Sequence, residues 1–358
     1  MSRTYVIAEA GVNHNGSLDT AIALVEASAY AGADAVKFQT FRAENIVRRS
    51  AKKADYQQHT TDARETQFDM LSRLELSPSD HRCLQTRCQA LNIEFLSTPF
   101  DSDSLAFLMD ELALPCIKIA SGEITNAPFL LEAALTRKPV ILSTGMSTID
   151  EVADALGVLA YGYLGLTGVP GPSSFQQALN STPALNVLSN KVTLLHCTSE
   201  YPAPFEEINL RAMENMRERF GLRVGYSDHT MGIAVPIAAV ALGACLIEKH
   251  ITLNRKLPGP DHASSLEPDE FRAMVNAIRE VEKALGKPEK SPTNSEMKNR
   301  AVARKSLVAN CFIRRGDLLT RDNIGIKRPG IGLSPFAYWQ MLGRAANREY
   351  EPDDLIEP

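Results

Sequence analysis

The sequence lacks several features that mark whole classes of protein. It has no excess of basic residues, since 38 Lys and Arg stand against 43 Asp and Glu, a net charge of −5. A chain of this charge has no positive field to attract nucleic acid or anionic lipid. No apolar run approaches the roughly 18 residues of a membrane-spanning helix, and the stretch at residues 5–11 is too short for a signal peptide. We therefore expect a soluble, cytoplasmic protein with no nucleic-acid or membrane partner.

Cysteine pairs at regular spacing are also missing. The six cysteines contain no CxxC pair, so no disulfide framework is expected. Most of them lie in apolar surroundings, which is typical of buried free thiols in a reducing compartment. They are Cys83, Cys88, Cys116, Cys197, Cys245 and Cys311.

What the sequence does have is an alternation of short apolar runs with amphipathic helical stretches. The apolar runs predict strands at residues 5–11, 35–40, 94–99, 116–121, 140–145, 192–198, 223–229 and 245–252. Residues 18–32, 77–92 and 268–286 are among the helical stretches between and after them. Eight strands each followed by a helix predict an α/β protein built on a (β/α)₈ TIM barrel.

The composition changes after residue 285, where the predicted barrel domain (residues 1–285) ends. Residues 286–300 are polar and contain prolines, which is typical of a linker. Residues 301–358 predict a second, β-rich domain that is marginal in size and would gain stability by packing against another surface. Within the barrel, long connections at residues 41–76 and 161–185 interrupt the repeat. Connections of this length are typical of lids or partner contacts.

Hydrogen-bonding or ionisable side chains stand at the carboxyl end of every predicted strand. In a TIM barrel these ends meet at one face, where active sites form. In chain order they carry Glu9; Lys37 and Gln39; Ser97 and Thr98; Lys118, Ser121 and Glu123; Ser143 and Thr144; His196, Thr198 and Tyr201; Ser227, Asp228 and His229; and Glu248, Lys249 and His250. A barrel with only a structural role would carry a few such residues, so this pattern favours an enzyme.

Lys37 and Lys118 are predicted inside apolar strands, where an ammonium group needs an anionic partner. Each could pair with a buried carboxylate such as Glu9 or Glu123. Alternatively, the lysines and nearby hydroxyls could bind a phosphate or carboxylate of a substrate. One lysine could instead form a Schiff base. Two lysines together with several hydroxyl-bearing strand ends favour anion binding.

His229 and His250 close the neighbouring strands seven and eight, so both rings can point at one place. Either histidine alone would more often have a structural role. Two imidazoles completed by water or substrate oxygens suit Mn²⁺, Fe²⁺, Co²⁺ or Zn²⁺ and leave positions open for catalysis. Asp228 is a candidate for orienting one imidazole. Asp261, in the turn LPGPDH after strand eight, is predicted at the same mouth.

Taken in order, these motifs resemble the sialic acid synthase family, the phosphoenolpyruvate-condensing enzymes that make nonulosonic acids. The motifs are AEAGVNHNG, VKFQT, STPFD, KIASGE, ILSTGM, HCTSEYPAPFEEINL, GYSDHT, EKHIT and PGPDH, then RKSLVA and KRPGIG. The resemblance implies a TIM barrel joined to a C-terminal SAF (antifreeze-like) domain, in a domain-swapped homodimer. It implies a transferase that condenses phosphoenolpyruvate with an open-chain N-acetylmannosamine-type amino sugar and releases phosphate by C–O cleavage. The implied cofactor is Mn²⁺ or Mg²⁺, with Co²⁺ as a further candidate.

The resemblance also implies roles for individual residues. His229 and His250 would bind the metal. Phosphoenolpyruvate would be held by Lys37, Thr98, Lys118, Ser121, Ser143, Ser199 and Ser227. The amino sugar would be surrounded by Gln39, Tyr201, Asp261 and, reaching across the dimer, Arg328. The catalytic groups would be Glu9, Glu123, His229 and Asp261, with proton transfer assigned to Glu9 or Glu123.

The acceptor sugar is left open by the sequence. Ser199 stands where the family carries Asn or Thr, beside both substrates. One alternative is an N,N′-diacetyllegionaminate synthase acting on 2,4-diacetamido-2,4,6-trideoxymannose, and a pseudaminate synthase is a weaker one. A sugar-phosphate acceptor, as in octulosonate synthases, would leave the small domain without a role. From another class, a carbohydrate- or ice-binding protein with an inert barrel is disfavoured by the polar strand ends.

Overall fold

The computed structural model describes residues 3–54, 57–58, 61–62 and 64–358. The chain divides into two compact units, Met1–Gly286 and Lys287–Pro358. The predicted connection at residues 41–76 lies partly outside these described ranges.

The first unit contains one parallel sheet of eight strands. They are Tyr5–Gly11 (β1), Ala35–Thr40 (β2), Glu94–Pro99 (β3), Ile117–Ile119 (β4), Val140–Ser143 (β5), Val192–His196 (β6), Arg223–Asp228 (β7) and Leu246–His250 (β8). Their order is β3-β2-β1-β8-β7-β6-β5-β4, and the end strands β3 and β4 contact each other. The sheet therefore closes on itself, and the predicted α/β TIM barrel is confirmed.

Helices surround this barrel. They are Leu18–Tyr30, Ala43–Ile46, Gln67–Ser72, Pro78–Ala90, Ser102–Ala106, Ala127–Leu135, Ile149–Leu164, Pro172–Leu179, Thr182–Lys191, Ala212–Phe220, Ala234–Ala241 and Pro268–Leu285. Local sequence sets several of their starts. At Pro78–Ala90, for example, Ser77 accepts a hydrogen bond from the Asp80 backbone, and the Asp80 carboxylate accepts one from the Ser77 backbone. Pro78 at the first helical position needs no donor there.

Several strands end earlier than the apolar runs predict. Strand β4 ends at Ile119 rather than at residue 121, and Ser121–Glu123 form a 3₁₀ turn. Strand β8 ends at His250, yet Ile251 and Thr252 after it are fully buried. The apolar pattern continues past the hydrogen-bonded ladder because the first residues of these loops are also packed inside. Some polar residues predicted on strand ends therefore lie in the turns that follow.

Inside the barrel, an apolar layer lies beneath a polar one. Ile7, Leu195 and Leu246 belong to a small buried cluster drawn from six of the strands. Glu9 and Glu248 follow Ile7 and Leu246 by two residues. Because successive side chains of a strand point to opposite faces, a spacing of two keeps each pair on the inner face. The apolar layer closes the barrel from below and leaves the polar residues at its carboxyl end.

The predicted 161–185 connection is largely helical. It completes helix Ile149–Leu164 and contributes helices Pro172–Leu179 and Thr182–Lys191. Gly157 allows helix Ile149–Leu164 to pack closely against helix Pro172–Leu179, since a side chain at this position would collide with the Phe175 backbone. An apolar groove of about 630 Å³ lies between Ala127–Leu135, Ile149–Leu164 and Phe175.

The second unit has its own small core. Helix Asn294–Ala303 is followed by an antiparallel pair, Ser306–Ala309 (β9) and Ile324–Lys327 (β10), and by the short helix Tyr338–Met341. The helix occupies part of the predicted linker, because Thr293 caps its first turn through the Glu296 backbone. The core residues are Leu307, Ala309, Ile313, Leu319, Ile324, Met341, Ala346, Tyr350 and Ile356. Within the described ranges, no helix is both long enough and apolar enough to cross a membrane.

Candidate active site

A polar cavity of about 210 Å³ opens at the carboxyl end of the barrel. Twelve of the predicted site residues line it: Glu9, Lys37, Gln39, Thr98, Lys118, Ser121, Ser143, Ser199, Tyr201, Ser227, His229 and His250. Six further residues complete the lining: Phe100, Ala120, Gly122, Met146, Cys197 and Glu248. Residues from all eight strands or the turns after them thus meet at one place.

Lys37 and Lys118 are both neutralised by buried carboxylates. The Lys37 ammonium lies 2.5 Å from Glu9 Oε2 and donates to Thr98 Oγ1 at 2.9 Å. Glu248 lies 3.6 Å from Lys37 Nζ through Oε2 and 3.3 Å from Lys118 Nζ through Oε1. The buried ion pair considered from the sequence is therefore present for Lys37 and Glu9, whereas the partner of Lys118 is Glu248 rather than Glu123.

The ionisation of this cluster bears on its chemistry. Burial would lower the pKa of Lys37, but Glu248 and Glu9 outweigh burial and raise it. A lysine held protonated is a poor nucleophile, which disfavours Schiff-base chemistry at Lys37. Burial raises the pKa of Glu9 to about 7 despite the opposing charge of Lys37. Burial also acts to raise the pKa of Glu248, but Lys118 and Lys37 together lower it to about 2.

Glu248 is a charged residue of the cavity lining for which the sequence predicts no role. It precedes His250 by two positions on β8, so the same alternation that places His250 in the cavity places Glu248 there too. Its Oε1 also accepts a hydrogen bond of 2.9 Å from Ser227 Oγ. The spacing was visible in the sequence, but the contacts with β2 and β4 across the barrel were not.

The two histidine rings of the cavity lining stand close together. Their centroids are 5.6 Å apart, and the Tyr201 ring lies 4.1 Å from that of His229. His229 Nδ1 lies 2.6 Å from the Thr198 carbonyl oxygen. A carbonyl only accepts, so Nδ1 carries the hydrogen. Burial lowers the pKa of His229 to about 4, so the ring is neutral, and its unprotonated Nε2 lies 3.5 Å from the Ser227 hydroxyl oxygen.

His250 provides a test of whether a metal ion fits here. Its Nδ1 is buried and has no hydrogen-bond partner among the described residues, and the Asp261 carboxylate is 3.9 Å away. Burial lowers its pKa well below the usual value, so this ring is neutral as well. This His250 nitrogen and the unprotonated His229 nitrogen belong to rings whose centroids are 5.6 Å apart, and such a pair suits a divalent ion that prefers nitrogen and oxygen donors. No group of three His, Cys, Asp or Glu side chains converges as a metal site in the described chain, so other ligands would be substrate or water oxygens.

Close backbone approaches shape the cavity wall. Gly145 donates its N–H to Ser121 Oγ at 3.0 Å, and a side chain there would collide with the Ser199 and Ser121 hydroxyls. Gly11 has φ +51°, and a Cβ on it would press against the Glu9 carboxylate. Both glycines keep the polar side chains accessible from the cavity.

Three predicted site residues lie outside the cavity lining. Glu123 is half-buried and accepts a hydrogen bond of 2.7 Å from Asn126. Asp261 is buried beside His250, and burial raises its pKa to about 6. Arg328 is exposed and belongs to the second unit.

Asp228 does not orient an imidazole, so that prediction was wrong. Its carboxylate pairs with Lys249 Nζ at 2.6 Å, with both side chains fully buried, and accepts hydrogen bonds from the Thr230 N–H and hydroxyl. Asp228 and Lys249 each stand between two cavity residues, so alternation turns them to the outer face of the sheet.

Comparisons with known proteins identify the family of the chain. The NeuB family profile matches residues 24–290. The chain is 46% identical to the N,N′-diacetyllegionaminic acid synthase of Campylobacter jejuni subsp. jejuni serotype O:2, over 99% of both chains. It is 43% identical to the synthase of the same name from Legionella pneumophila, over 95% of this chain and 89% of that one. The crystal structure of an N-acetylneuraminic acid (sialic acid) synthetase from Leptospira borgpetersenii, in complex with citrate, matches with TM-score 0.66 and 31% identity, covering 83% of this chain and 90% of that one. The chain therefore belongs to the NeuB family, and its prediction as a nonulosonic acid synthase of the sialic acid synthase type is confirmed.

Proposed function

We propose that the protein condenses phosphoenolpyruvate with open-chain 2,4-diacetamido-2,4,6-trideoxymannose to form N,N′-diacetyllegionaminate. The observation that carries this choice is that two relatives named for that product match nearly the whole chain at 46% and 43% identity. N-acetylmannosamine, which the sequence motifs favoured, is the second candidate. It is supported by the likeness to a sialic acid synthetase at 31% identity.

The floor of the cavity suits the phosphoenolpyruvate half of the reaction. Two ammonium groups, Lys37 and Lys118, are surrounded by hydroxyls that can each donate to an anionic oxygen. These hydroxyls belong to Thr98, Ser121, Ser143, Ser199 and Ser227. Such an array fixes the phosphate and carboxylate of the enol and sets the position of its C3.

The charge of the cavity supports a divalent cation. With both carboxylates ionised, Lys37 and Lys118 are balanced by Glu9 and Glu248, so the lining contributes no net positive charge. Burying a substrate with both a phosphate and a carboxylate would then leave negative charge uncompensated. Mn²⁺ or Mg²⁺, with Co²⁺ as a further candidate, would be held by His229 and His250. When bound, such an ion supplies Lewis-acid polarisation of the acceptor's aldehyde oxygen.

The reaction balances without a redox partner. The enol π electrons of phosphoenolpyruvate C3 attack the aldehyde carbon, and the aldehyde oxygen takes up a proton to become a hydroxyl. Water adds to C2 and loses one proton, which balances the proton taken up by the aldehyde oxygen. The tetrahedral intermediate then expels phosphate by C2–O cleavage, and the proton of its C2 hydroxyl passes to the phosphate, which leaves a keto acid. Glu9 lines the cavity and has a pKa of about 7, so it can carry a proton near neutral pH. These features favour Glu9 over Glu123 for proton transfer. Asp261, which lies beside His250, is kept as a further candidate catalytic group.

The second unit is proposed as an SAF domain, residues 301–358, that acts across a domain-swapped homodimer. Its surface is compatible with packing on another chain, since Phe336 is 92% and Trp339 72% exposed. Arg328 is exposed on the same unit and is proposed to contact the acetamido group of the acceptor.

Arg328→Ala is expected to raise the KM for the acceptor by at least ~10-fold, because a guanidinium–carbonyl hydrogen bond would be lost. The KM for phosphoenolpyruvate should stay within about twofold, since its predicted ligands all lie in the barrel. Steady-state kinetics with each substrate varied in turn measures both. Equal changes in the two KM values would rule out this role for Arg328.

The acceptor itself is tested by phosphate release from phosphoenolpyruvate with a panel of sugars. We expect kcat/KM for 2,4-diacetamido-2,4,6-trideoxymannose to exceed that for N-acetylmannosamine by at least ~10-fold, because a polar group built to receive the second acetamido group discriminates against a sugar lacking it. N-acetylmannosamine 6-phosphate serves as the sugar-phosphate control. A preference for N-acetylmannosamine would favour the second candidate, and no release with any sugar would support an inert barrel.

A further inference from the structure

Glu248 is positioned differently from the other acidic residues of the cavity. Within the described chain it is the carboxylate that ion-pairs with both Lys37 and Lys118, through Oε2 at 3.6 Å and Oε1 at 3.3 Å. It also accepts the Ser227 hydroxyl at 2.9 Å. All of these donors belong to the group proposed to hold phosphoenolpyruvate. Glu248 therefore satisfies the same donors that a bound anion would use.

A carboxylate in this position has two opposite effects on an anion site. It holds the two ammonium groups and the hydroxyl in place, so that they are ordered before substrate arrives. Its own negative charge repels a phosphate, and in a buried site this repulsion is strong because little water screens it. Glu248 is only 4% exposed. The repulsion acts on phosphoenolpyruvate and on released phosphate alike.

We propose that Glu248 is a built-in competitor of anionic ligands, which positions Lys37, Lys118 and Ser227 and limits how tightly phosphoenolpyruvate and phosphate bind. This inference rests on the proposed function. In this competition the bound anion replaces Glu248 as the partner of Lys118, and Glu248 contacts Lys118 again when phosphate leaves. Lys37 keeps a second carboxylate, Glu9 at 2.5 Å, whereas Glu248 is the only carboxylate recorded within ion-pair distance of Lys118 in the described chain. Lys118 is therefore the lysine whose availability Glu248 controls.

The decisive variant is Glu248→Gln, which keeps the shape of the side chain and an oxygen to accept from Ser227 but removes the charge. We expect it to bind phosphoenolpyruvate and inorganic phosphate at least ~10-fold more tightly than the wild type, because one buried repulsive charge is gone. At the same time kcat should fall, since product phosphate leaves more slowly. A residue that only bound substrate, or only stabilised the fold, would give weaker binding instead.

Calorimetric titration of the full-length protein with phosphoenolpyruvate and with phosphate measures this effect. Glu218→Gln, an exposed acid of helix Ala212–Phe220, is the matched control for loss of one negative charge, and its affinities should equal those of the wild type. When Lys118→Met is already present, adding Glu248→Gln should no longer tighten the binding of either anion, because the ammonium group that Glu248→Gln would free is absent. Unchanged or weaker binding by Glu248→Gln would overturn the proposal.

A measurement on the wild-type protein covers the case in which the variant does not fold. A crystal structure with inorganic phosphate is expected to show a phosphate oxygen on Lys118 and the Glu248 carboxylate more than 3.3 Å from that ammonium group. Phosphate bound with the Lys118–Glu248 contact unchanged would contradict the competition. Failure of the wild type to bind either phosphoenolpyruvate or phosphate would overturn the proposed function itself, and this inference with it.

Discussion

His250→Ala is expected to abolish tight divalent-metal binding and to lower kcat/KM for the condensation by roughly 10³-fold. The wild-type ring presents a buried nitrogen with no hydrogen-bond partner among the described residues. Its ring centroid is 5.6 Å from that of the neutral His229. Lewis-acid activation contributes several kcal/mol to a reaction of this type, and each 1.36 kcal/mol is about a factor of ten in rate. Removing one of the two imidazoles removes half of the nitrogen donors.

Titration of metal-free protein with Mn²⁺, followed by calorimetry or electron paramagnetic resonance, measures the binding independently of activity. His196→Gln is the matched control. His196 likewise ends a barrel strand, β6, but its Nε2 lies 2.7 Å from the Ile208 carbonyl and it does not line the cavity. Its replacement should leave Mn²⁺ binding intact. Wild-type affinity for Mn²⁺ in His250→Ala would refute the assignment.

Lys249→Met is expected to lower the free energy of unfolding of the barrel by about 3–5 kcal/mol. Lys249 and Asp228 are both fully buried and 2.6 Å apart, so methionine fills the space of lysine but leaves the carboxylate unpaired. The lysine ammonium also donates to the Thr230 carbonyl, and this bond is lost as well. Urea denaturation followed by circular dichroism measures the change.

Two controls separate the buried charge from loss of a generic ion pair. Adding Asp228→Asn to Lys249→Met removes the stranded charge and should recover part of the stability. Arg87→Met breaks the exposed pair with Glu26, whose side chains are 41% and 47% exposed, and should cost less than about 1 kcal/mol. Equal losses for Lys249→Met and Arg87→Met would show that burial of the pair contributes nothing extra.

The sequence predicted the barrel and most of the cavity because both depend on local periodicity. Apolar runs separated by helical stretches specify a parallel barrel, and its topology brings the strand ends together. The spacing of two between Lys37 and Gln39, or between Ser227 and His229, then places side chains on the inner face. None of this requires knowledge of distances between strands.

What the sequence did not predict depends on contacts across the barrel or on the outer face. The pairing of Glu248 with Lys118 joins β8 to β4, and no spacing along the chain encodes that distance. Asp228 was misassigned although the alternation rule, applied strictly, places it on the face opposite His229. The helix at Asn294–Ala303 is not predictable from periodicity because its polar residues give no apolar stripe, and the prolines before its Thr293 cap indicate a linker.

The alternation along β7 and β8 divides two tasks between neighbouring residues. Ser227, His229, Glu248 and His250 face the cavity, while Asp228 and Lys249 hold the strands together from outside. Selection for turnover and selection for folding therefore act on different codons of the same short segments. The catalytic repertoire of such a barrel can diversify at one set of positions without loss of stability, provided that the interleaved set is left unchanged.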